Sequence, residues 1–302
     1  MPVIESNELT KTYGRLPAIN NLSFNIKENK ITGLIGRNGA GKTTLLKTIA
    51  GFLKPTSGKI KVFSENPFNS LKVSANLIFI DDNMNLALPS LLRLVDILES
   101  AGRFYPNWDR ELATRLFDYF DFDPRQRHRS LSKGMRSTFN MIIGLSARCA
   151  LTILDEPTTG MDAAVRKDFY KALLKDYIAY PRTIIVSSHL LSEIEDVLED
   201  ILLLKDGEKC VHLPVSELKE LAVGLRGRVN IINELARGRQ VYYSETFGKD
   251  SIYIVVKNEF TEAALQSARL AGVEITPVAV DDLSVYLTAR SKGGIDNVFK
   301  RN

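Results

Sequence analysis

The chain has 302 residues, of which 44% are hydrophobic and 25% are charged, and its formal net charge is +4. These values are ordinary for a globular protein and exclude collagen-like chains, disordered chains and small disulfide frameworks. A charge excess this small over the whole length does not predict a nucleic-acid-binding surface, so no nucleic acid partner is expected. The length favours one large domain and a smaller one.

The sequence predicts neither membrane insertion nor secretion. The longest stretches without a charged residue, Leu16–Ile26 and Ser137–Ala147, have 11 residues each, whereas a membrane-spanning helix needs about 20. Met1–Lys11 lacks the basic start and the apolar run of a secretory signal. The two cysteines, Cys149 and Cys210, are too few for a disulfide framework and fit a reducing cytosol.

The first part of the chain has strand patterns on both sides of a glycine-rich segment. Val3–Leu9 and the alternating Leu22–Ile26 predict a small antiparallel arm. The apolar run Ile31–Ile35 predicts a short buried strand, and Thr43–Ala50 predicts a helix that ends at a glycine. Lys59–Phe63 alternates between apolar and polar residues, as an edge strand does.

The middle of the chain is helical, and strands return after it. Apolar residues at spacings of three and four predict a helical subdomain over about 84–148. Leu151–Leu154 and Thr183–Val186 predict buried strands, and Ala163–Tyr177 between them predicts a crossover helix, so these strands are expected to be parallel. Asp206-Gly207 predicts the two-residue turn of a hairpin.

The pattern changes again near residue 213. We therefore predict a main domain over 1–213 and a small α+β appendage over 214–302. Glu262–Leu270 predicts a helix in the appendage, and four segments predict strands. These segments are Val229–Ile232, Gln240–Ser244, Ser251–Val256 and Val273–Val278.

The glycine-rich segment Gly36–Thr43 matches the P-loop pattern GxxxxGK[ST] between a predicted strand and a predicted helix. In this pattern, backbone N–H groups surround a phosphate at a helix N-terminus, where the helix dipole favours an anion. Lys42 is expected to reach the β- and γ-phosphates, and the Thr43 hydroxyl is expected to bind Mg²⁺. The candidate nucleotide-binding residues here are Gly36, Asn38, Gly39, Ala40, Gly41, Lys42, Thr43 and Thr44.

A second motif is the buried-strand pattern that ends in Asp155 and Glu156. P-loop proteins use an acid at such a strand end to hold Mg²⁺ through its water shell, so Asp155 is a candidate metal residue. Glu156 is a candidate general base for an attacking water. On its own, the same pattern would also suit a strand that ends in an acidic turn before Pro157.

Three further segments accompany these motifs in order: Leu131–Met135 (Leu-Ser-Lys-Gly-Met), Thr159–Asp162 and Ser187–His189. The ordered set resembles the nucleotide-binding subunit of ATP-binding cassette (ABC) transporters over about residues 1–213, and the five-residue signature separates this family from other P-loop proteins. The resemblance implies an α/β fold, namely a P-loop NTPase (RecA-like) core with the antiparallel β arm, the inserted α-helical subdomain and the small α+β appendage.

The resemblance also implies roles for single residues. Tyr13 would stack on the adenine ring, although an ordinary surface tyrosine would look the same in the sequence. His189 would donate a hydrogen bond to the γ-phosphate and help to position the water. Ser132 and Gly134 would bind the γ-phosphate of a nucleotide held by a second ABC subunit. The implied catalytic residues are Lys42, Glu156 and His189.

The sequence departs from the family pattern in two motifs. Most ABC subunits have a glutamine after the strand that here reads Leu77–Ile80, whereas this chain has two acids, of which Asp82 is the better match. Asp82 is therefore a candidate metal residue, with an acidic turn of no catalytic role as the alternative. In the signature, Lys133 and Met135 replace the residues that are usual in the family. Ser132 and Gly134 are still present. Contacts to the ribose of the nucleotide that the partner subunit holds are in doubt.

The resemblance implies an ATPase with ATP and Mg²⁺ as cofactors, whose partners are a second, identical or paralogous ABC subunit and integral membrane permease subunits. It would be cytoplasmic, held at the inner face of the membrane by the permease without inserting into the bilayer. The single cassette and the appendage look most like bacterial export systems.

Leu86–Ala101 is the candidate permease-docking region, although its leucines also suit a core. The alternatives are an ABC ATPase that acts on DNA or ribosomes and a module that binds ATP without hydrolysing it.

Overall fold

The computed structural model of the chain describes residues 2–81 and 92–289. The chain folds as two compact units, residues 1–212 and 213–302. The predicted Asp82 site and the first part of the predicted docking region lie outside the described residues.

The first unit contains two β-sheets. An antiparallel sheet is formed by β1 (Pro2–Tyr13), β2 (Leu16–Lys27) and β4 (Ser57–Val62), in the order β2-β1-β4. The second sheet is formed by β3 (Ile31–Ile35), β5 (Leu77–Ile80), β6 (Leu151–Asp155), β7 (Thr183–Ser188), β8 (Asp200–Lys205) and β9 (Glu208–Pro214). Its order is β5-β6-β7-β3-β8-β9, and β5, β6, β7, β3 and β8 run parallel. The predicted arm and parallel strands are confirmed.

The central strands of the six-stranded sheet are buried at every position, namely in β3, β6 and β7. A parallel strand with both faces covered shows such a continuous apolar run instead of alternation, which is why these segments stood out in the sequence. The predicted turn between β8 and β9 is also confirmed. Asp206 and Gly207 both have positive φ, 48° and 83°, as a two-residue turn of type I′ requires.

The helices of the first unit are α1 (Lys42–Ile49), α2 (Leu71–Ala75), α3 (Leu94–Phe104), α4 (Arg110–Tyr119), α5 (Lys133–Ser146) and α6 (Ala163–Ala179). Helix α1 lies between the two sheets, because Leu45 and Leu46 share one buried cluster with Leu22 of β2 and Ile153 of β6. Helices α3, α4 and α5 form the predicted helical subdomain, in which Phe139 of α5 is fully buried.

The second unit contains α7 (Val215–Glu220), β10 (Ala222–Arg228), α8 (Val229–Ala236), β11 (Val241–Phe247), β12 (Ser251–Lys257), α9 (Glu262–Leu270), β13 (Glu274–Pro277) and α10 (Val280–Thr288). The strands form an antiparallel sheet in the order β11-β12-β10-β13. From β10 to β13 the chain therefore follows the βαββαβ path of a ferredoxin-like fold. The predicted α+β appendage is confirmed.

One predicted strand of the second unit is wrong. Val229–Ile232 was expected to be a strand, and it is the first turn of helix α8. Ile232 is fully buried, and Val229, Leu235 and Ala236 pack against the same core, whereas Asn233 is exposed. The apolar stripe therefore has helical spacing, but four residues are too few to separate that period from strand alternation. Burial of this stripe outweighs the strand preference of valine and isoleucine.

No helix in the described parts of the chain combines the length with the apolar composition that crossing a bilayer requires.

We expect Leu46→Ala to lower the free energy of unfolding by about 2–5 kcal/mol, because the substitution leaves a cavity between the two sheets. Leu46 is fully buried. Urea unfolding of the variant measures this loss. Leu71→Ala is the matched control, since Leu71 is 87% exposed and alanine suits a helix. Equal losses in both variants would contradict the placement of α1 in the core.

Candidate functional site

The glycine-rich loop connects β3 to α1 and wraps around a buried ammonium group. The Lys42 side chain is only 6% exposed, and its Nζ donates to the Gly36 carbonyl oxygen over 2.7 Å. Gly41 has a φ of 100°, and a Cβ there would lie 2.3 Å from the Ala18 carbonyl oxygen. Only glycine therefore allows the loop to pass this close to β2.

The two acids at the end of β6 lie beside this loop. Asp155 Oδ1 accepts a 2.6 Å hydrogen bond from the Ser187 hydroxyl of β7, which itself accepts one from the Glu156 N–H over 2.8 Å. Glu156 has a φ of 48°, an uncommon value for a residue with a side chain. Ser187 thus holds the turn in which the strand ends.

Lys42, Glu156 and His189 form a chain of polar contacts. Glu156 Oε1 lies 3.2 Å from Lys42 Nζ, and Glu156 Oε2 lies 2.8 Å from His189 Nδ1. Exposure rises along this chain from 6% at Lys42 to 25% at Glu156 and 51% at His189. The carboxylate is thus held by both partners, with the imidazole on the solvent side.

Asp155 is 5% exposed, and burial raises the pKa of its carboxyl group above the ordinary value. Hydrogen bonds from Ser187 and Thr43 lower the pKa in part, and the charges of Glu156 and Asp81 raise it. Ionisation of Asp155 is therefore unfavourable at this position unless a cation lies near the carboxylate.

A cleft of about 410 Å³ opens over the loop. Its lining joins predicted residues from three parts of the chain. These residues are Asn38, Gly39, Ala40, Gly41, Lys42, Thr43, Thr44, Glu156 and His189. Gly36 contributes the carbonyl oxygen that holds Lys42. Ala18, Arg37 and Thr159 also line the cleft and were not predicted. The charge of Arg37 inside an anion-binding motif was a usable signal, whereas nothing in the sequence singles out Ala18.

Tyr13 lies at the end of β1, next to the turn into β2, and is not among the residues that line the cleft. Its side chain is 53% exposed, and the Lys11 ammonium lies 5.6 Å from its ring centroid. The ring is therefore accessible to a stacking partner, and its predicted contact with adenine stays a prediction.

Ser132 and Gly134 lie at the start of α5 and do not line the cleft. The Ser132 hydroxyl accepts a 3.3 Å hydrogen bond from the Met135 N–H and caps the helix. A Cβ on Gly134 would lie 2.3 Å from the Gly160 carbonyl oxygen, so the helix start packs tightly on the segment after Glu156.

The oxygen donors near the loop suit Mg²⁺. Thr43 is close enough to Asp155 to lower the pKa of its carboxyl group, so two hard oxygen ligands lie near each other. Within residues 2–81 and 92–289, no three His, Cys, Asp or Glu side chains come together as a metal-binding group. The donor set therefore fits an ion that also takes oxygen ligands from phosphates and water, as Mg²⁺ does in phosphoryl-transfer sites.

The chain is similar to known proteins of one family. The family model described as ABC transporter matches residues 19–159. The chain is 32% identical to the ABC transporter ATP-binding protein YtrB of Bacillus subtilis, over 72% of this chain and 74% of that protein. It is 31% identical to the Nod factor export ATP-binding protein I of Rhizobium leguminosarum bv. viciae, over 72% of this chain and 70% of that protein.

Solved structures show the same fold. A dimeric ATP-binding cassette in a post-hydrolysis state, bound to ADP and Pi, superimposes with a TM-score of 0.60 at 22% identity. The match covers 70% of this chain and 98% of that chain. The predicted P-loop NTPase core is thereby confirmed.

We expect Asp155→Asn to stabilise the nucleotide-free, Mg²⁺-free protein at neutral pH, because it removes a buried charge. The folded-state pKa is raised, so the wild type loses stability as pH rises from the unfolded value of 3.8 through the folded value. The increase in the free energy of unfolding of the variant over the wild type should thus grow as the pH rises through this window and then level off. Urea unfolding between about pH 4 and about pH 8 measures it.

Asp162→Asn is the matched control. Asp162 is exposed, and its carboxylate caps α6 by accepting from the N–H groups of Ala164 and Val165, a role that asparagine also fills. A similar gain at both positions, or a loss at Asp155, would contradict burial as the cause.

Proposed function

This chain belongs to the family of ABC transporter ATP-binding proteins, and we propose that it hydrolyses ATP to power an exporter built with separate integral membrane permease subunits. In this proposal two copies, or this chain and a paralogue, are joined by ATP and act at the inner face of the membrane. The relative named for Nod factor export supports the export direction. The observation that carries the proposal is the cleft that unites Lys42, Glu156 and His189 without Ser132.

We assign the chemistry of hydrolysis to the polar chain beside the loop. Lys42 Nζ lies 3.2 Å from Glu156 Oε1. Phosphates in the cleft would draw the Lys42 ammonium to themselves and leave the Glu156 carboxylate free to accept a proton from the attacking water. His189, already 2.8 Å from that carboxylate, would hydrogen-bond to the γ-phosphate and orient the water. Thr43 and Asp155 would hold Mg²⁺, whose charge would stabilise the transferring phosphoryl group.

Completion of the site by a second subunit follows from the placement of the signature. Ser132 and Gly134 have a hydroxyl and backbone N–H groups at a helix start, which favours an anion. They do not line the cleft of their own chain. We infer that they bind the γ-phosphate held by another subunit, so that ATP bridges two chains until it is hydrolysed. The solved dimeric cassette with ADP and Pi is consistent with this arrangement.

The Glu156→Gln variant tests hydrolysis and dimerisation together. We expect it to lose about 10²–10⁴-fold in the rate of phosphate release, because glutamine has nearly the same shape but cannot accept the proton. ATP with Mg²⁺ should then hold the variant as a dimer. Phosphate release and sizing chromatography with light scattering measure the two effects.

Glu220→Gln is the control, since Glu220 is exposed on α7 in the other unit. It should match the wild type in both assays. A Glu156→Gln variant that stays monomeric with ATP would refute the ATP-bridged pair. Unchanged phosphate release would remove Glu156 as the base, and a wild type without activity would favour a module that only binds ATP.

We propose that the permease contacts the helical subdomain at its α3 end. A cleft of about 600 Å³ lies between α3 and α4, and its walls include Leu98, Arg103 and Trp108. Phe104 is 70% exposed beside it. Such an open surface with apolar and charged side chains suits a short amphipathic segment of a partner. The described end of the predicted docking region, residues 92–101, borders this cleft.

Arg103→Glu should reduce binding to permease-containing membranes and leave basal ATP hydrolysis unchanged, because Arg103 is exposed and does not line the nucleotide cleft. Co-sedimentation with membranes and phosphate release measure the two properties. Lys171→Glu on α6 is the control for charge reversal at an exposed helical site and should bind normally. Loss of basal hydrolysis in Arg103→Glu would indicate a role in folding instead.

A further inference from the structure

We propose that Ser137 of α5 and Thr159 are positioning residues for Glu156, and that two consecutive hydrogen bonds through them hold its carboxylate in the place where it works. The inference rests on the proposed function, in which Glu156 is the general base. Ser137 does not line the cleft, so it would touch neither nucleotide nor the attacking water and would act only through Thr159.

The two hydroxyl groups connect α5 to the turn that follows β6. The Ser137 hydroxyl donates a 2.8 Å hydrogen bond to the Thr159 carbonyl oxygen. The Thr159 hydroxyl donates a 2.8 Å hydrogen bond to the Glu156 carbonyl oxygen, which also accepts one from the Thr159 N–H over 3.2 Å. Thr159 therefore holds the backbone of Glu156, and α5 holds Thr159.

The backbone of Glu156 needs support of this kind. Its φ of 48° lies in the left-handed region, which is unfavourable for a residue with a side chain. Such a conformation persists only where the surrounding structure holds it. The Ser187 hydroxyl holds the Glu156 N–H over 2.8 Å, and Thr159 holds the carbonyl oxygen. If the bond to the carbonyl oxygen is lost, we expect φ to relax and the carboxylate to move out of its place in the cleft.

The packing of α5 gives the Ser137 hydroxyl a fixed place above the turn. A Cβ on Gly134 would lie 2.3 Å from the Gly160 carbonyl oxygen, so helix and turn are in close contact there. Gly134 and Ser137 are three residues apart and lie on the same face of the helix. Ser137 is only 9% exposed, so water competes little for its hydrogen bond to Thr159. The turn thus takes its position from α5.

Loss of the Ser137 hydroxyl should slow hydrolysis without weakening nucleotide binding. Ser137→Ala leaves the glycine-rich loop and Lys42 unchanged, whereas a displacement of a catalytic group by about 1 Å can cost up to about 10²-fold in rate. We expect kcat of ATP hydrolysis to fall about tenfold. The dissociation constant for ATP with Mg²⁺ should change by less than about twofold, because the variant affects the transition state only.

Matched variants of the full chain separate the hydroxyl groups from the shapes of the side chains. Thr159→Val keeps the shape and removes the hydroxyl, so it should lose kcat as Ser137→Ala does. Thr159→Ser keeps the hydroxyl and should keep most of the rate that Thr159→Val loses. Ser146→Ala is the control on the same helix, since the buried Ser146 hydroxyl has no hydrogen-bond partner among the described residues. It should match the wild type.

Ser137→Ala in the Glu156→Gln background distinguishes a positioning role from a general structural one. The Glu156→Gln side chain cannot accept the proton, so its placement no longer sets the rate. Single-turnover phosphate release by Glu156→Gln should therefore be the same with and without Ser137→Ala, within about twofold. A structural defect would slow both backgrounds alike. Thermal unfolding checks that each variant is folded.

The proposal is overturned if Ser137→Ala and Thr159→Val hydrolyse ATP at the wild-type rate. It is also overturned if they lose only affinity for ATP, or if the loss of rate persists in the Glu156→Gln background. Should Ser137→Ala not fold, the difference between Thr159→Val and Thr159→Ser decides. Failure of the proposed function is read separately, because Glu156→Gln alone would then release phosphate at the wild-type rate.

Discussion

The parallel arrangement of β3, β6 and β7 is the constraint on which the rest of the site depends. Parallel neighbours end at the same edge of a sheet, so the loop after β3, the acids at the end of β6 and the residues after β7 meet there. No single segment contains the site. The 3.2 Å contact of Lys42 with Glu156 joins two segments that are more than 100 residues apart in the sequence.

Several charged groups are buried at this same edge of the sheet, and their burial is unfavourable. A buried ammonium, a buried carboxylate and a half-buried carboxylate lie within a few contacts of each other, and burial raises the pKa of Asp155. The charges are arranged for a highly charged ligand and are only partly balanced among themselves. In the proposed function, a triphosphate and Mg²⁺ would offset these charges, which gives a reason for a group that weakens the stability of the fold.

The start of α5 extends the proposed function beyond this edge. Ser132 caps α5 there and is not among the residues that line the cleft of its own chain. Unpaired backbone N–H groups at a helix start favour an anion, and this is why the proposed function gives Ser132 and Gly134 the nucleotide of a second subunit.

The sequence by itself determined the P-loop, the acidic strand end, the buried parallel strands and the hairpin at Asp206-Gly207, because each is a local pattern with a local physical cause. It also identified the family through the order of its motifs. Tertiary structure alone decided the rest. Val229–Ile232 became a helix because its apolar stripe faces a core made by β10 and β12. Ala18 and Thr159 line the cleft because of how the chain folds back. The strand order β11-β12-β10-β13 of the second unit is likewise set by the whole fold, because no single segment of the sequence contains it.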